Sequence, residues 1–240
     1  MKKYFSLLPM LGLAGLATLA PWAQAQQAGD NVVAFGWLRL APQDASENLK
    51  IAGQTVPQTG AAVGKADTPG LQFNHYFSDH VSVAIDGGLP PRFKVTGTGV
   101  LQGTNIGSTK QWSPAAVFKY HFGESSTALR PYVGAGLTYV WFSDVKLDSA
   151  FTKELSSIIS QGQSDALPSQ ASLSKSLAPV ANLGATYQLN HAWSIGLSLS
   201  YVWLDAKADL STSTPAGSVH STTKITLNPI VSFLSLGYKF

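Results

Sequence analysis

The sequence predicts an all-β fold, an eight-stranded antiparallel transmembrane β-barrel with long extracellular loops and short periplasmic turns. Three observations lead there. Apolar and polar residues alternate with a period of two in segment after segment. The connections between these segments alternate short and long. The apolar faces carry aromatic rings at their ends and aliphatic chains between, the order a strand needs when it crosses a lipid bilayer.

The clearest segment is 192–204, AWSIGLSLSYVWL. Trp193, Ile195, Leu197, Leu199, Tyr201 and Trp203 share one face, and Ser194, Gly196, Ser198 and Ser200 share the other. The same parity recurs in 113–122, with Phe118, Tyr120 and Phe122 opposite Val117, Lys119 and His121. It recurs in 177–189, with Leu183, Tyr187 and Leu189 opposite Asn182, Thr186 and Gln188. Segments 71–77 and 81–85 are shorter versions, and 32–40, 130–143 and the C-terminal 230–240 bring the expected strands to eight. Connections 78–80, 123–129 and 190–191 are short; 42–66, 88–108, 144–174 and 205–221 are long and rich in Gly, Ser, Thr and Pro. Within 148–163, Phe151, Leu155, Ile158 and Ile159 recur at helical spacing behind a capping Asp148 or Ser149, which predicts a short helix over the barrel mouth.

The chain ends on Phe240, at the close of an alternating run. In lipid every backbone N–H and C=O needs a partner, so the last strand is expected to pair with the first and leave no edge. Phe240 is then read as an anchor at the periplasmic interface, and the terminal strand as the contact for the barrel-assembly machinery.

Residues 1–25 carry Lys2 and Lys3, an apolar run and a small-x-small ending at Ala23-Gln24-Ala25, the pattern of a cleaved signal peptide. A membrane anchor over 4–22 is the competing reading, and Pro9, Pro21 and the cleavage pattern weigh against it. The barrel is assigned to 26–240, and the expected location is the outer membrane of a Gram-negative bacterium. Setting Lys2 and Lys3 aside leaves 14 of the 16 basic residues against 13 acidic ones, so no basic stripe suggests nucleic acid. The chain has no cysteine, hence no disulfide and no thiolate metal site.

Catalytic patterns are absent from the sequence. His75, His80, His121, His191 and His220 show no metal-ligand spacing, and there is no G-x-S-x-G elbow, so no catalytic residue, metal or cofactor is expected. A lipid-modifying enzyme built on His75 or His121 beside a serine is the reading left open.

The inward faces change character along the barrel. Their lower ends are polar or small, with Lys119, His121, Thr186, Gln188, Ser194 and Ser235. Their upper ends are apolar, with Val140 and Phe142, Val202 and Leu204, Val231 and Phe233; on the first strand, apolar on both faces, Trp37 and Leu38 are counted as lining. These eight residues are the candidate channel lining, a vestibule for small apolar ligands or detergent. The alternative is a plug, since eight strands enclose only enough room for side chains or one small ligand. An apolar molecule moving straight down would meet the polar groups, so sideways exit into membrane lipid is easier. Prolines lack the N–H of a ladder bond, which marks Pro114, Pro179 and Pro229 as candidate borders of a lateral gap, and Pro69 as a strand end or bulge.

Three stretches, RPYVGAGLTYVWF at 130–142, STTKITLNPIVSFLSLGYKF at 221–240 and TPGLQFNHYFSDHVSVAIDGGLPPRFKV at 68–95, resemble the OmpW family of outer-membrane barrels, which includes AlkL-like alkane importers. The resemblance spans the mature chain in order. It implies an eight-stranded barrel with a narrow hydrophobic channel that passes small apolar molecules. A structural or surface-interaction barrel acting through its loops is the alternative function.

Overall fold

The computed structural model describes residues 26–43, 45–163, 167–215 and 217–240, so the expected signal peptide at 1–25 lies outside the described residues. Strand β1 (Asn31–Ala41) leads through β2 (Ala45–Ser46), β3 (Lys50–Ile51), β4 (Gln54–Thr55) and β5 (Thr59–Val63) to β6 (Ala66–Tyr76). Next come β7 (Val81–Gly88), β8 (Arg92–Gly99), β9 (Asn105–Trp112), β10 (Ala115–His121) and β11 (Leu129–Leu147). Helix α1 (Ser149–Ile159) precedes β12 (Ser169–Leu173), β13 (Ser176–Gln188), β14 (Trp193–Val202), β15 (Asp205–Thr214), β16 (Gly217–Thr226) and β17 (Ile230–Lys239).

Eight of these strands, β1, β6, β7, β10, β11, β13, β14 and β17, form a closed antiparallel barrel, each bonded to the next and β17 back to β1. The closing ladder runs from Val32↔Lys239 to Ala41↔Ile230. Below it the Asn31 N–H donates to the Phe240 carbonyl at 3.3 Å and the Phe240 N–H returns to Asn31 at 3.0 Å. Lys239 adds an ion pair to Asp30 at 3.1 Å. The terminal ring is tied by its own backbone, and its side chain points out of the barrel, 63% exposed. No helix among the described residues is long and apolar enough to cross a membrane.

The parity read from the sequence sets the two surfaces. Ile195, Leu197, Leu199, Leu183, Phe118, Leu234 and Leu236 face outward, while Ser194, Ser198, Asn182, Lys119 and Phe233 face the lumen. Rings collect in two outer belts. Trp193 packs on Tyr238 at the lower end, with centroids 5.0 Å apart, and Trp112 on Trp141 at the upper end, 5.8 Å apart.

Above the barrel the structure departs from the long irregular loops that composition suggested. β11 climbs well beyond its barrel partners and pairs with β9, which carries β8 and β5. β15 and β16 form a long hairpin flanked by β12, β2 and β3. The reason lies in alternation hidden within polar sequence: Ala206, Ala208, Leu210 and Thr212 turn inward between exposed Asp205, Lys207 and Asp209. Helix α1 forms where its spacing predicted, with the Asp148 carboxylate accepting from the Ala150 N–H at 2.9 Å. Its Phe151 and Leu155 close a second apolar core with Leu49, Leu101, Ala208 and Leu210, while Ile158 stays exposed.

At the base of the β15–β16 hairpin, Lys224 bonds Asp205 at 2.9 Å and the Thr226 hydroxyl donates to the same carboxylate at 2.8 Å. The Lys224 contact holds the Asp205 carboxyl below its usual range. A depressed carboxylate contributes above the ordinary aspartate value and loses that contribution as pH falls through the lowered one. Hydrogen exchange at Ala206 and Ile225 is therefore expected to quicken below about pH 4, and Asp205→Asn to remove the dependence. A second prediction concerns the lipid face: Leu197→Lys, near mid-strand, is expected to cost about 2–4 kcal/mol in folding titrations into vesicles.

Candidate functional site

The upper lumen holds a cavity of about 390 Å³. Six of the eight residues expected to line it do so: Leu38, Val140, Val202, Leu204, Val231 and Phe233. Phe142 lies one step higher, where it packs against the apolar layer of Val140, Leu204, Ala206 and Ile225 and does not border the cavity. Trp37 is a correction. It shares parity with Phe35 and not with Leu38, so its ring lies on the lipid face, 54% exposed, with its indole N–H 3.4 Å from Asp67. Strand β1 was apolar on both faces, and only pairing with β6 and β17 decided which face turned inward. Arg39, also outward, meets Asp67 at 3.7 Å.

Apolar layers continue upward from this cavity. Ala206, Ile225 and Leu227 lie above Leu204, and a second apolar pocket of about 90 Å³ sits higher still, between Leu49, Leu101, Phe151, Leu173 and Leu210. The upper barrel is thus an apolar column capped by α1 and the extended hairpins.

Below the cavity the lumen is a polar floor with about 20 Å³ left open. Gln72 donates to Asp86 at 2.7 Å and Asn74 donates to Gln72 at 2.8 Å. The Lys119 ammonium lies 4.7 Å from the centre of the Tyr132 ring. Arg130, fully buried, donates to the carbonyls of Gln26 at 2.8 Å and Gly123 at 3.4 Å, and also to that of Asp79. Gln26, in turn, donates to Gln188 at 2.8 Å. These contacts draw the residue that opens the expected mature chain and two periplasmic turns onto one guanidinium. His121 meets Ser82 at 2.8 Å, the nearest arrangement to a serine–histidine pair. Both are buried in this floor rather than placed at the lipid-facing rim, and His121 Nδ1 has no protein partner to orient it. His75 bonds Asn31 at 2.9 Å.

The wall beside the cavity is not uniform. The β7–β10 ladder stops at Asp86↔Ala115, and the β8–β9 ladder starts at Arg92↔Lys110. Between them Gly87–Pro91 faces Gln111–Pro114, and among the described residues one backbone bond crosses this seam, from Gln111 N–H to Pro91 O at 3.1 Å. Pro90, Pro91 and Pro114 have no N–H to offer. The cavity reaches the outer surface here: outward-facing Leu71 and Leu89 border it together with Gly87, Trp112 and Pro114.

The other two candidate gap prolines lie in paired wall. The β11–β13 ladder runs through Leu137↔Pro179, and the Pro179 carbonyl accepts from Trp203 at 3.1 Å. The Pro229 carbonyl accepts from Val202 at 3.2 Å, while neighbouring Ile230 pairs with Ala41 and Tyr201. Pro114 differs from them in lying at the end of a ladder: the flanking registers carry it toward Gly87 and carry Gln111 toward Pro91, in a stretch where Pro90, Pro91 and Pro114 all lack an N–H. The sequence signal for that seam was the run Gly87-Gly88-Leu89-Pro90-Pro91, which combines the two residue types least able to sustain a ladder. Pro69 pairs with Trp37 inside β6.

The floor yields a test. Arg130→Met removes charged donors from three carbonyls and is expected to lower stability by about 1.5–3 kcal/mol in denaturant titrations in vesicles. Hydrogen exchange is expected to rise first around Gln26 and the turn at Asp79.

Comparison with known proteins agrees with this architecture. The OmpW family model matches residues 27–240, and the chain belongs to that family. It is 31% identical to outer membrane protein W of Vibrio cholerae serotype O1 over 95% of this chain and 98% of that one. It is 25% identical to outer membrane protein AlkL of Ectopseudomonas oleovorans, covering 88% of this chain and 83% of that one. Among solved structures it resembles the crystal structure of OprG from Pseudomonas aeruginosa, with a TM-score of 0.79 at 27% identity over 91% of this chain and 99% of that one. Like these relatives, it is an outer-membrane barrel seated in membrane lipid.

Proposed function

We propose that this OmpW-family barrel is a passive uptake channel for small apolar molecules, and that they leave it sideways into the membrane. In this reading the chain reaches the outer membrane after losing residues 1–25 as a signal peptide. One observation carries the reading: the cavity beside Val140, Val202 and Leu204 is bordered at the Gly87–Pro91 seam by outward-facing Leu71 and Leu89, while the floor beneath it leaves about 20 Å³.

The energetics favour that route. An apolar ligand descending past Asp86 and Lys119 would strip water or hydrogen bonds from polar groups and return nothing. Through the seam it passes from Leu38 and Phe233 to Leu71 and Leu89, a mainly apolar path on which Asp86, Gln111 and Ser113 are the polar side chains. About 390 Å³ admits one small molecule at a time. No energy source is required, because the ligand moves from water to hydrocarbon, and each buried methylene contributes about 0.8 kcal/mol. AlkL, among the relatives, is the member whose type the sequence resemblance tied to apolar uptake.

The experiment is uptake of a labelled short alkane into cells lacking or expressing the protein. Wild-type chain is expected to raise the initial rate. Val140→Asn with Val202→Asn is expected to lower it at least several-fold by making the vestibule polar. Gly87→Trp tests the exit: a Cβ at Gly87 meets nothing within 4 Å, so a side chain can start there without a backbone clash, and its ring is aimed at the seam. Loss of uptake in Gly87→Trp with normal folding supports sideways exit. Unchanged uptake in that variant would move the exit elsewhere, and no gain from the wild-type chain would favour a surface role for the extracellular hairpins.

A further inference from the structure

We propose that the outer face of β8, β9 and β11, just above the lateral seam, binds the phosphorylated headgroup of the outer-leaflet glycolipid through Arg92, Lys110 and Lys146, with Lys94 beside them. The proposal rests on the protein's place in the outer membrane and on this face's geometry, and it is independent of what passes through the lumen.

Register puts the cations on one surface. Arg92 pairs with Lys110 and Lys110 with Ser143, while Lys94 pairs with Ser108 and Ser108 with Lys146. Directly opposed residues in an antiparallel pair share a face, so these two rows project together. The intervening Phe93, Thr109 and Gln111 are buried on the inner side. A bulge between Ser143 and Lys146, with Asp144 at φ 52°, turns one carboxylate out among the cations. Asp144 bonds Arg92 and lies 3.6 Å from both Lys110 and Lys146.

Three cations around one carboxylate, with Lys94 on the neighbouring row, leave a local excess of positive charge. Elsewhere on the rim the pairs are one to one, Arg39 with Asp67 and Lys224 with Asp205. The Lys110 and Lys146 side chains are 42% and 67% exposed, so an incoming anion reaches them by displacing water and competing with the single Asp144 carboxylate. Asp144 orders the cluster: the Arg92 hydrogen bond holds its carboxyl below the usual range, so it stays charged and keeps Lys110 and Lys146 drawn together.

Height selects the anion. Trp112 follows Lys110 by one outward position on β9, and Trp112 and Trp141 stack nearly parallel, 3° apart, as part of the belt that marks the headgroup level. A patch one step above that belt, on a wall that faces lipid, meets headgroup phosphates before any soluble partner. Guanidinium and ammonium groups are the usual phosphate partners, with Ser108 and Ser143 hydroxyls alongside to donate. The glycolipid's acyl chains would then run down over the Trp112–Trp141 face, beside the seam that begins at Pro91 and Gln111. A bound glycolipid would border the opening.

Purified protein in detergent is titrated with bisphosphorylated lipid A, with dephosphorylated lipid A and with phosphatidylglycerol, and bound lipid is counted by native mass spectrometry. Wild-type protein is expected to hold one bisphosphorylated lipid A in preference to the other two. Lys110→Gln with Lys146→Gln, which leaves the Arg92–Asp144 pair in place, is expected to weaken that binding roughly tenfold or more. Asp144→Asn keeps a residue that tolerates positive φ, removes the competing carboxylate and is expected to tighten it. Equal retention of dephosphorylated lipid A, equal retention of phosphatidylglycerol, or binding unchanged in the lysine variant would each overturn the proposal. Opposite shifts in the lysine and aspartate variants cannot arise from misfolding, so they separate a binding site from a structural ion cluster.

Discussion

Unpaired backbone in hydrocarbon is the constraint on which the rest of this structure depends. Each N–H or C=O left without a partner there costs several kcal/mol, so a sheet in lipid closes on itself. Here closure runs through β1 and β17 and is locked at Asn31, Phe240 and the Lys239–Asp30 pair. Once the ring is closed, strand parity has no freedom: each outward residue meets lipid, each inward one meets the lumen, and a one-residue slip would exchange them. Lys119 in the lumen and Leu197 on the lipid face are two consequences of one register.

The same constraint gives the seam its meaning. A wall that must be paired is left nearly unpaired between Gly87–Pro91 and Gln111–Pro114. Prolines lower the penalty there because they bring no donor that needs a partner. The break lies beside Trp112, at the upper belt, where headgroups and water can reach carbonyls that hydrocarbon could not satisfy. An opening at mid-bilayer would have no such relief.

How much of this was legible in the sequence followed from how local each signal is. Alternation reports the face of a strand, so the eight wall strands, the lipid-facing rings of β14, the lumenal Lys119 and the cap of α1 could be read directly. Trp37 could not, because β1 is apolar on both parities and its facing is fixed by partners far away in sequence. The extended hairpins were concealed by composition: Ser and Thr look like loop, yet Ala206, Ala208 and Leu210 keep strand parity through them. The seam needed knowledge of what faces what. Three prolines looked equivalent, and only the break between the β7–β10 and β8–β9 ladders singled out Pro114.

The polar floor and the apolar column also depend on each other. Arg130 can be fully buried because its two terminal nitrogens find backbone carbonyls at the periplasmic turns and at Gln26, where carbonyls lie outside the ladders. That arrangement fills the lower lumen with fixed dipoles, leaving about 20 Å³ there against about 390 Å³ above. A barrel of eight strands has a nearly constant bore, so the difference in free space comes from side chains and not from strand number. Large polar groups below and small or aliphatic groups above therefore make one end a seal and the other a receptacle, and the weak seam lies on the receptacle's side of that boundary.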